Sequence, residues 1–118
     1  MSTYNITLPW PPTNNNLFTV ARGRKIKSQK GRNYLSEVAA YVLINRMALM
    51  LSSSLSVNIT AYPPTRAKRD LDNLFKAPLD ALTQCGVIAD DSLIDDLRIV
   101  RGEVVKGGRL EITITEIE

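Results

Sequence analysis

Residues 55–64 read LSVNITAYPP. Leu55, Val57, Ile59 and Ala61 alternate with Ser56, Asn58, Thr60 and Tyr62. A period of two puts the apolar side chains on one face of an extended chain, so the stretch predicts a half-buried strand. Pro63-Pro64 ends it, because proline cannot donate to a sheet ladder. Upstream, Ser28 or Ser36 is placed to cap a helix running to about Leu51. Its apolar positions, Leu35, Val38, Val42, Leu43, Met47, Leu49 and Met50, form a broad stripe suited to packing across a sheet. Ser52-Ser53-Ser54 then stops it. Further back, Thr3 to Leu8 sets Tyr4, Ile6 and Leu8 on one face of another strand, closed by Pro9-Trp10-Pro11-Pro12. Between that strand and the helix, Gly23 and Gly31 argue against regular structure over 21–32.

Downstream, 73–84 reads as a second helix with Gly86 as its C-terminal cap. Pro78 is awkward there, so either the helix kinks or its regular part begins near residue 77. Residues 87–96 read as loop, with one helical turn at most over 92–96. Strand-like runs at 97–105 and 109–116 flank Lys106-Gly107-Gly108-Arg109, a hairpin signal because both glycines accept positive φ. The order strand, helix, strand, helix, hairpin predicts an α+β fold: a small mixed sheet of about four strands with two helices packed on one face. One domain spanning 1–118 is expected from 118 residues and 13.1 kDa.

Composition excludes several chemistries. There is no histidine, hence no imidazole general base, no Ser-His-Asp triad and no histidine-ligated zinc. Cys85 is the only cysteine, so no internal disulfide forms, and beside Gly86 it reads as a half-buried small hydrophobe. No apolar run approaches the roughly 18 residues of a membrane span. The opening MSTYNITLPW has neither the basic nor the apolar region of a signal peptide, so a cytoplasmic chain without a membrane partner is expected. Catalysis, if present, falls to carboxylates, lysines and metal ions.

The net charge of +3 hides a lopsided distribution. Residues 1–69 carry ten Lys/Arg and one acid, a balance of +9, and residues 70–118 carry five Lys/Arg and eleven acids, a balance of −6. Arg22, Arg24, Lys25, Lys27, Lys30 and Arg32 fall in eleven residues without an acid, and Arg66, Lys68 and Arg69 form a second group. Such blocks are either solvated loops or polyanion-binding arms that release counterions from phosphates.

The first aspartates follow at once, in Lys68-Arg69-Asp70-Leu71-Asp72-Asn73-Leu74-Phe75-Lys76. On extended backbone Asp70 and Asp72 point the same way, and paired carboxylates suit a hard cation such as Mg²⁺. Helix capping explains one of the two as well. Asp90-Asp91 follows the second helix and returns toward Asp70 and Asp72 if the chain turns back; by itself it is also a common solvated turn. Lys76, a turn away, is either a solvated charge or a ligand for the scissile phosphate. Basic segments that gather a polyanion, with acids that hold a metal, describe phosphodiester hydrolysis without histidine.

Together, YNITLPWPP (4–12), Asn14-Asn15, Arg69-Asp70-Leu71-Asp72-Asn73, Lys76, Asp80-Ala81-Leu82-Thr83, Asp90-Asp91 and Lys106-Gly107-Gly108-Arg109-Leu110 resemble the RusA family of Holliday-junction resolvases. The resemblance implies a homodimeric α+β endodeoxyribonuclease, often carried by lambdoid phages and prophages, that nicks two opposed strands of a four-way DNA junction in recombination and repair. It implies Mg²⁺, with Mn²⁺ as a substitute, and places the essential acids on Asp70, Asp72 and Asp91 and the essential lysine on Lys76, with Asp90 secondary. It also implies DNA contacts for Arg22, Arg24, Lys25, Lys27, Lys30, Arg32, Arg66, Lys68, Arg69 and Lys76. Two other readings stay open: a DNA-binding module without catalysis, and a metal-dependent nuclease acting on flaps or single strands.

Overall fold

The computed structural model describes residues 2–117; Met1 and Glu118, the ends of the expected domain, lie outside them. The chain runs β1 (Thr3–Pro9), β2 (Phe18–Ala21), β3 (Arg24–Lys27), α1 (Gln29–Asn45), β4 (Ser54–Tyr62), α2 (Lys76–Gln84), β5 (Ile94–Arg101) and β6 (Arg109–Ile117). Single 3-10 turns at Asn14–Asn16, Leu71–Leu74 and Asp91–Leu93 connect them. The fold is α+β, as the sequence predicts, with a small two-stranded ribbon added to the main sheet.

The alternating stretch at 55–62 is the middle of the structure. The sheet order is β1-β6-β4-β5, with β6 antiparallel to both of its neighbours and β5 parallel to β4. Leu55, Val57, Ile59 and Ala61 are buried, beside Leu110, Ile112 and Ile114 of β6 and Ile6 and Leu8 of β1. The other face of β4 carries Ser56, Asn58, Thr60 and Tyr62, all at least partly open to solvent.

Helices α1 and α2 pack on the apolar face. Tyr34, Val38 and Val42 recur every four residues and bury one stripe of α1. Ser28 caps the helix, its Oγ accepting the Gly31 N–H at 3.0 Å. The helix ends at Asn45, six residues short of the expected Leu51, because Arg46 turns left-handed (φ 54°). Met50 also turns left-handed, and Leu51 bridges Ile88 in parallel beyond the end of α2: Met50 N–H donates to Gly86 O at 2.8 Å and Leu51 N–H to Val87 O at 3.1 Å. Leu43, expected on the packed stripe, faces solvent, as does its neighbour Ile44.

Pro78 raises no difficulty. It is the third residue of α2, where its missing N–H has no partner inside the helix anyway. Gly86, at φ 81°, closes the helix as expected.

Three further expectations are corrected. The segment 21–32 is regular: β2 and β3 form an antiparallel ribbon turned by Arg22 and Gly23, both left-handed, and α1 begins at Gln29. Gly31 lies inside the helix because a Cβ there would meet Leu17 O at 2.7 Å and Lys27 Cγ at 2.8 Å, so its smallness lets the helix press on the ribbon. The turn expected over 92–96 is Asp91–Leu93, and Asp95 and Asp96 already belong to β5.

The third correction concerns the hairpin. β5 and β6 do not pair with each other, since β4 lies between them. The 102–108 connection crosses the end of β4, with Gly102 N–H on Ala61 O at 2.8 Å and Val105 N–H on Pro63 O at 2.9 Å. Gly107 and Gly108 take the positive φ that a hairpin turn also needs, which is why local sequence does not separate the two topologies.

At Gly108 a Cβ would approach Pro64 Cδ at 2.9 Å and Trp10 Cβ at 3.1 Å, whereas nothing lies within 4 Å of one at Gly107. Gly108→Ala is expected to lower unfolding stability by about 2 kcal/mol. Gly107→Asn should change it by less than about 0.5 kcal/mol, since asparagine tolerates the left-handed region. Urea midpoints of the two variants, at equal m-value, check this.

Candidate active site and nucleic-acid interface

Asp70 and Asp72 sit where the loop leaving β4 turns into α2. Asp70 stands at the cap position of the Leu71–Leu74 turn, on extended backbone (φ −92°, ψ 129°), and its carboxylate makes no capping bond. Asp72 lies inside that turn rather than at the cap of α2, and both side chains are exposed. Capping therefore accounts for neither carboxylate.

The turn is fixed from outside by Asn14. Its Nδ2 donates to Asp72 O at 3.2 Å, and its Oδ1 accepts the Lys76 N–H at 3.3 Å. One amide thus spans the segment that carries the acids and the lysine.

The neighbouring arginines are also held. The Arg69 guanidinium donates to Thr65 O (2.9 Å), Ala67 O (3.0 Å) and Thr65 Oγ1 (2.8 Å), and lies 5.6 Å from the centre of the Trp10 ring. Arg101 occupies the inward-facing register of β5 after Leu97 and Ile99, and donates to Arg69 O at 2.9 Å. Thr13, Lys68, Arg69, Asp70, Asn73 and Arg101 line a cleft of about 650 Å³. A single carboxylate among three basic side chains suits a phosphate that arrives with a cation.

Lys76 is the first residue of α2. Its Nζ lies 3.2 Å from Asp80 Oδ2, one turn along the helix, and half of its side chain is exposed. Exposed pairs of this kind contribute about 0.2–1 kcal/mol, so the lysine exchanges partners cheaply.

Asp91 stands elsewhere. It opens the turn before β5, and Asp90 caps that turn by accepting the Ser92 N–H at 3.0 Å. That bond, with the adjacent Asp91, holds the Asp90 carboxyl below the usual carboxylate range. Asp90 thus has a structural role. The eight residues of β5 span about 23 Å and separate Asp91 from the Arg101 end. Among the described residues, no three His, Cys, Asp or Glu side chains gather to hold a metal. One chain therefore does not bring Asp91 to Asp70 and Asp72. The reason is topological: α2 carries the chain back to the start of the sheet before parallel β5 begins.

The basic candidates divide by environment. Arg22, Arg24 and Lys25 stand exposed on the ribbon, with Lys25 Nζ 4.6 Å from the Phe18 ring centre. Lys27 reaches Gln84 Oε1 at 3.4 Å. Lys30 and Arg32 lie in the first turn of α1, where Arg32 ties helix to ribbon through Lys27 O (2.7 Å) and Gln29 Oε1 (2.6 Å). Arg66 and Lys68 are exposed on the loop before Asp70. Cys85 is half-buried near Leu35 O, and burial raises its thiol pKa, as an inert packing residue requires.

Sequence reasoning missed the parts played by Asn14, Trp10, Asp80 and Arg101. Only Arg101 leaves a readable signal, a charge in the apolar register of an alternating run.

An uncapped aspartate in a basic cleft, with a second two residues on and no histidine in the chain, suits a nuclease that works through carboxylates. The family model described as Endodeoxyribonuclease RusA matches residues 9–115. The chain belongs to the RusA family. It is 45% identical over 117 residues to the crossover junction endodeoxyribonucleases RusA of Escherichia coli strain K12 and of Enterobacteria phage 82, covering 99% of this chain and 98% of each relative. The Shigella sonnei protein of the same name is 44% identical over the same extent. No helix among the described residues is long and apolar enough to cross a membrane.

Changing Arg22, Arg24 and Lys25 together to glutamine is expected to weaken DNA binding at every sequence. The slope of log affinity against log salt should fall by about 2.7, for three lost phosphate contacts. Fluorescence anisotropy across a salt series measures it, and an unchanged slope removes the ribbon from the contact surface.

Proposed function

We propose that the chain is a structure-selective endodeoxyribonuclease that resolves four-way Holliday junctions by paired symmetric nicks in recombination and repair. It would act as a homodimer, with Mg²⁺ or Mn²⁺ held by Asp70, Asp72 and Asp91. The observation that carries this reading is the uncapped, exposed Asp70 in a cleft lined by Lys68, Arg69 and Arg101, with the exposed Asp72 two residues on, in a chain whose relatives are crossover junction endodeoxyribonucleases.

The donor chemistry fits a hard divalent cation, since all three candidates are carboxylates. Bound there, such a cation would neutralise phosphate charge and lower the pKa of a water. The residues of the chain have separate tasks. Arg101 and Lys68 bind the phosphate chain; Lys76, released from Asp80, places positive charge near the scissile phosphate; Asn14 holds the acidic segment in register.

A second copy is a physical requirement of this reading, because Asp91 lies about a strand's length from Asp70. β5 is an edge strand, and its outward row reads Asp96, Arg98, Val100. Two copies pairing antiparallel about a two-fold at Leu97 would set Asp96 opposite Arg98 of the second copy and Leu97 opposite its own twin. Shifting the axis to Asp96 or to Arg98 would oppose like charges, which is destabilising. With the axis at Leu97, Arg101 stands level with Leu93 of the second copy, two residues from that copy's Asp91. Each dimer would then hold two acid sets, each made from both chains and related as the two scissile phosphates of a junction are.

Mixing distinguishes this arrangement from a site within one chain. Asp70→Asn and Asp91→Asn proteins should each be inactive on a labelled junction with Mg²⁺ while still binding it. Combined and re-equilibrated, they should regain single nicks, because half of the sites in each mixed dimer are intact. No recovery from a demonstrated mixed dimer would rule out the shared site. Junction binding without cleavage by the unmodified protein in any divalent ion would favour a binding module. Equal cutting of flap, linear and four-way DNA would remove junction selectivity.

A further inference from the structure

Beside the Asp70 cleft lies a second cavity of about 520 Å³, and the two share Arg69, Leu74 and Arg101 in their walls. Its other walls are unlike a phosphate site. Trp10, Pro63, Leu71 and Val104 supply apolar surface, with Arg66 and Glu103 also lining it. Three of the five N–H donors of the Arg69 guanidinium beside Trp10 are engaged by Thr65 and Ala67. A planar cation tied down through most of its donors presents its flat face for stacking.

We propose that this cavity takes one unstacked nucleobase from the strand whose phosphate lies in the Asp70 cleft, and thereby sets sequence preference at the cut. The inference rests on the nuclease reading and adds a base-binding subsite to it. The volume falls within the roughly 300–1,000 Å³ of small-molecule pockets, enough for a nucleotide-sized occupant. Stacking against Arg69 and Trp10 would tolerate any base, while Glu103 offers an acceptor for an exocyclic amino group. Amino-bearing bases should therefore outrank thymine. A branch point lowers the cost of extrusion, because unpaired or imperfectly stacked bases leave a helix most easily. The shared wall puts the base next to its own backbone phosphate, as the length of one nucleotide requires.

The test uses junctions with each of the four bases, or an abasic residue, at every position within two nucleotides of the cut. The unmodified protein should lose about tenfold in cleavage rate when one particular position is abasic. Ala67→Leu, on an exposed loop lining the cavity, should cut the intact junction at that lower rate and lose nothing further on the abasic one. Trp10→Leu should behave likewise, and Trp10→Phe, which keeps an aromatic face, should recover most of the base effect. Unchanged cutting with every abasic substrate overturns the subsite alone, as does a full base effect in Ala67→Leu. If the unmodified protein neither binds nor cuts any junction, the nuclease reading fails and the subsite falls with it.

Discussion

A parallel neighbour cannot be reached by a tight turn. Because β5 runs parallel to β4, the chain leaving β4 must travel back along the sheet before β5 can begin, and α2 is that return path. This constraint decides where the acids stand. Asp70 and Asp72 lie on the outbound loop, at the exit end of β4. Asp90 and Asp91 lie after the return, at the entry end of β5. The same pairing leaves β5 as an edge and sends the last connection across the end of β4, where Gly102 and Gly108 admit the close approach.

The outbound loop is costly to order, since eight residues from Pro63 to Asp70 carry no strand or helix. Its order comes from groups that have no partner of their own in the sheet. Arg69 folds back on Thr65 and Ala67 and rests on Trp10, and Arg101 reaches up from β5 to the Arg69 carbonyl; just beyond the loop, Asn14 crosses from the proline-rich exit of β1 to hold Asp72 and Lys76. Positive charge is thus placed around Asp70 before any polyanion arrives. Less ordering remains for the moment of binding, which is where flexible basic loops lose affinity.

Much of this was readable from the chain, and the limits have a common cause. Strands β1 and β4 were legible because a half-buried strand must alternate, and the end of α2 because its Gly86 cap is a local feature; its start is Lys76 and not residue 73, because 71–74 form a 3-10 turn. The ends of α1 and the pairing of β5 were not. Leu43, Met47, Leu49 and Met50 look like a continuing stripe, but Met50 and Leu51 form main-chain bonds to Gly86, Val87 and Ala89, contacts no local pattern announces. The glycine pair at 107–108 demands a turn and is silent on which strand the turn passes. For the site, residue types and spacing marked Asp70, Asp72, Lys76 and Asp90-Asp91 as candidates, and only the family resemblance implied their roles; the position of Asp91 depended on strand direction, which periodicity does not carry. Asn14 entered only as part of the family resemblance; that its amide spans Asp72 and Lys76 is a tertiary contact no local pattern carries.

Dividing the acids between the two ends of β5 bears on selectivity as well as on assembly. A nuclease with all its ligands in one chain could cut wherever its cleft met a backbone. Under the proposed division, an isolated chain holds two acids at one end and one at the other, so neither end alone offers three carboxylates to a cation. Cutting would then require the dimer, and the dimer presents two sites at a fixed separation and symmetry. Linear duplex has no matching pair of strands, whereas a four-way junction does. Selectivity for branched DNA would follow from strand direction in a four-stranded sheet, without base contacts, and any sequence preference would have to be added beside each site by a feature such as the Trp10 cavity.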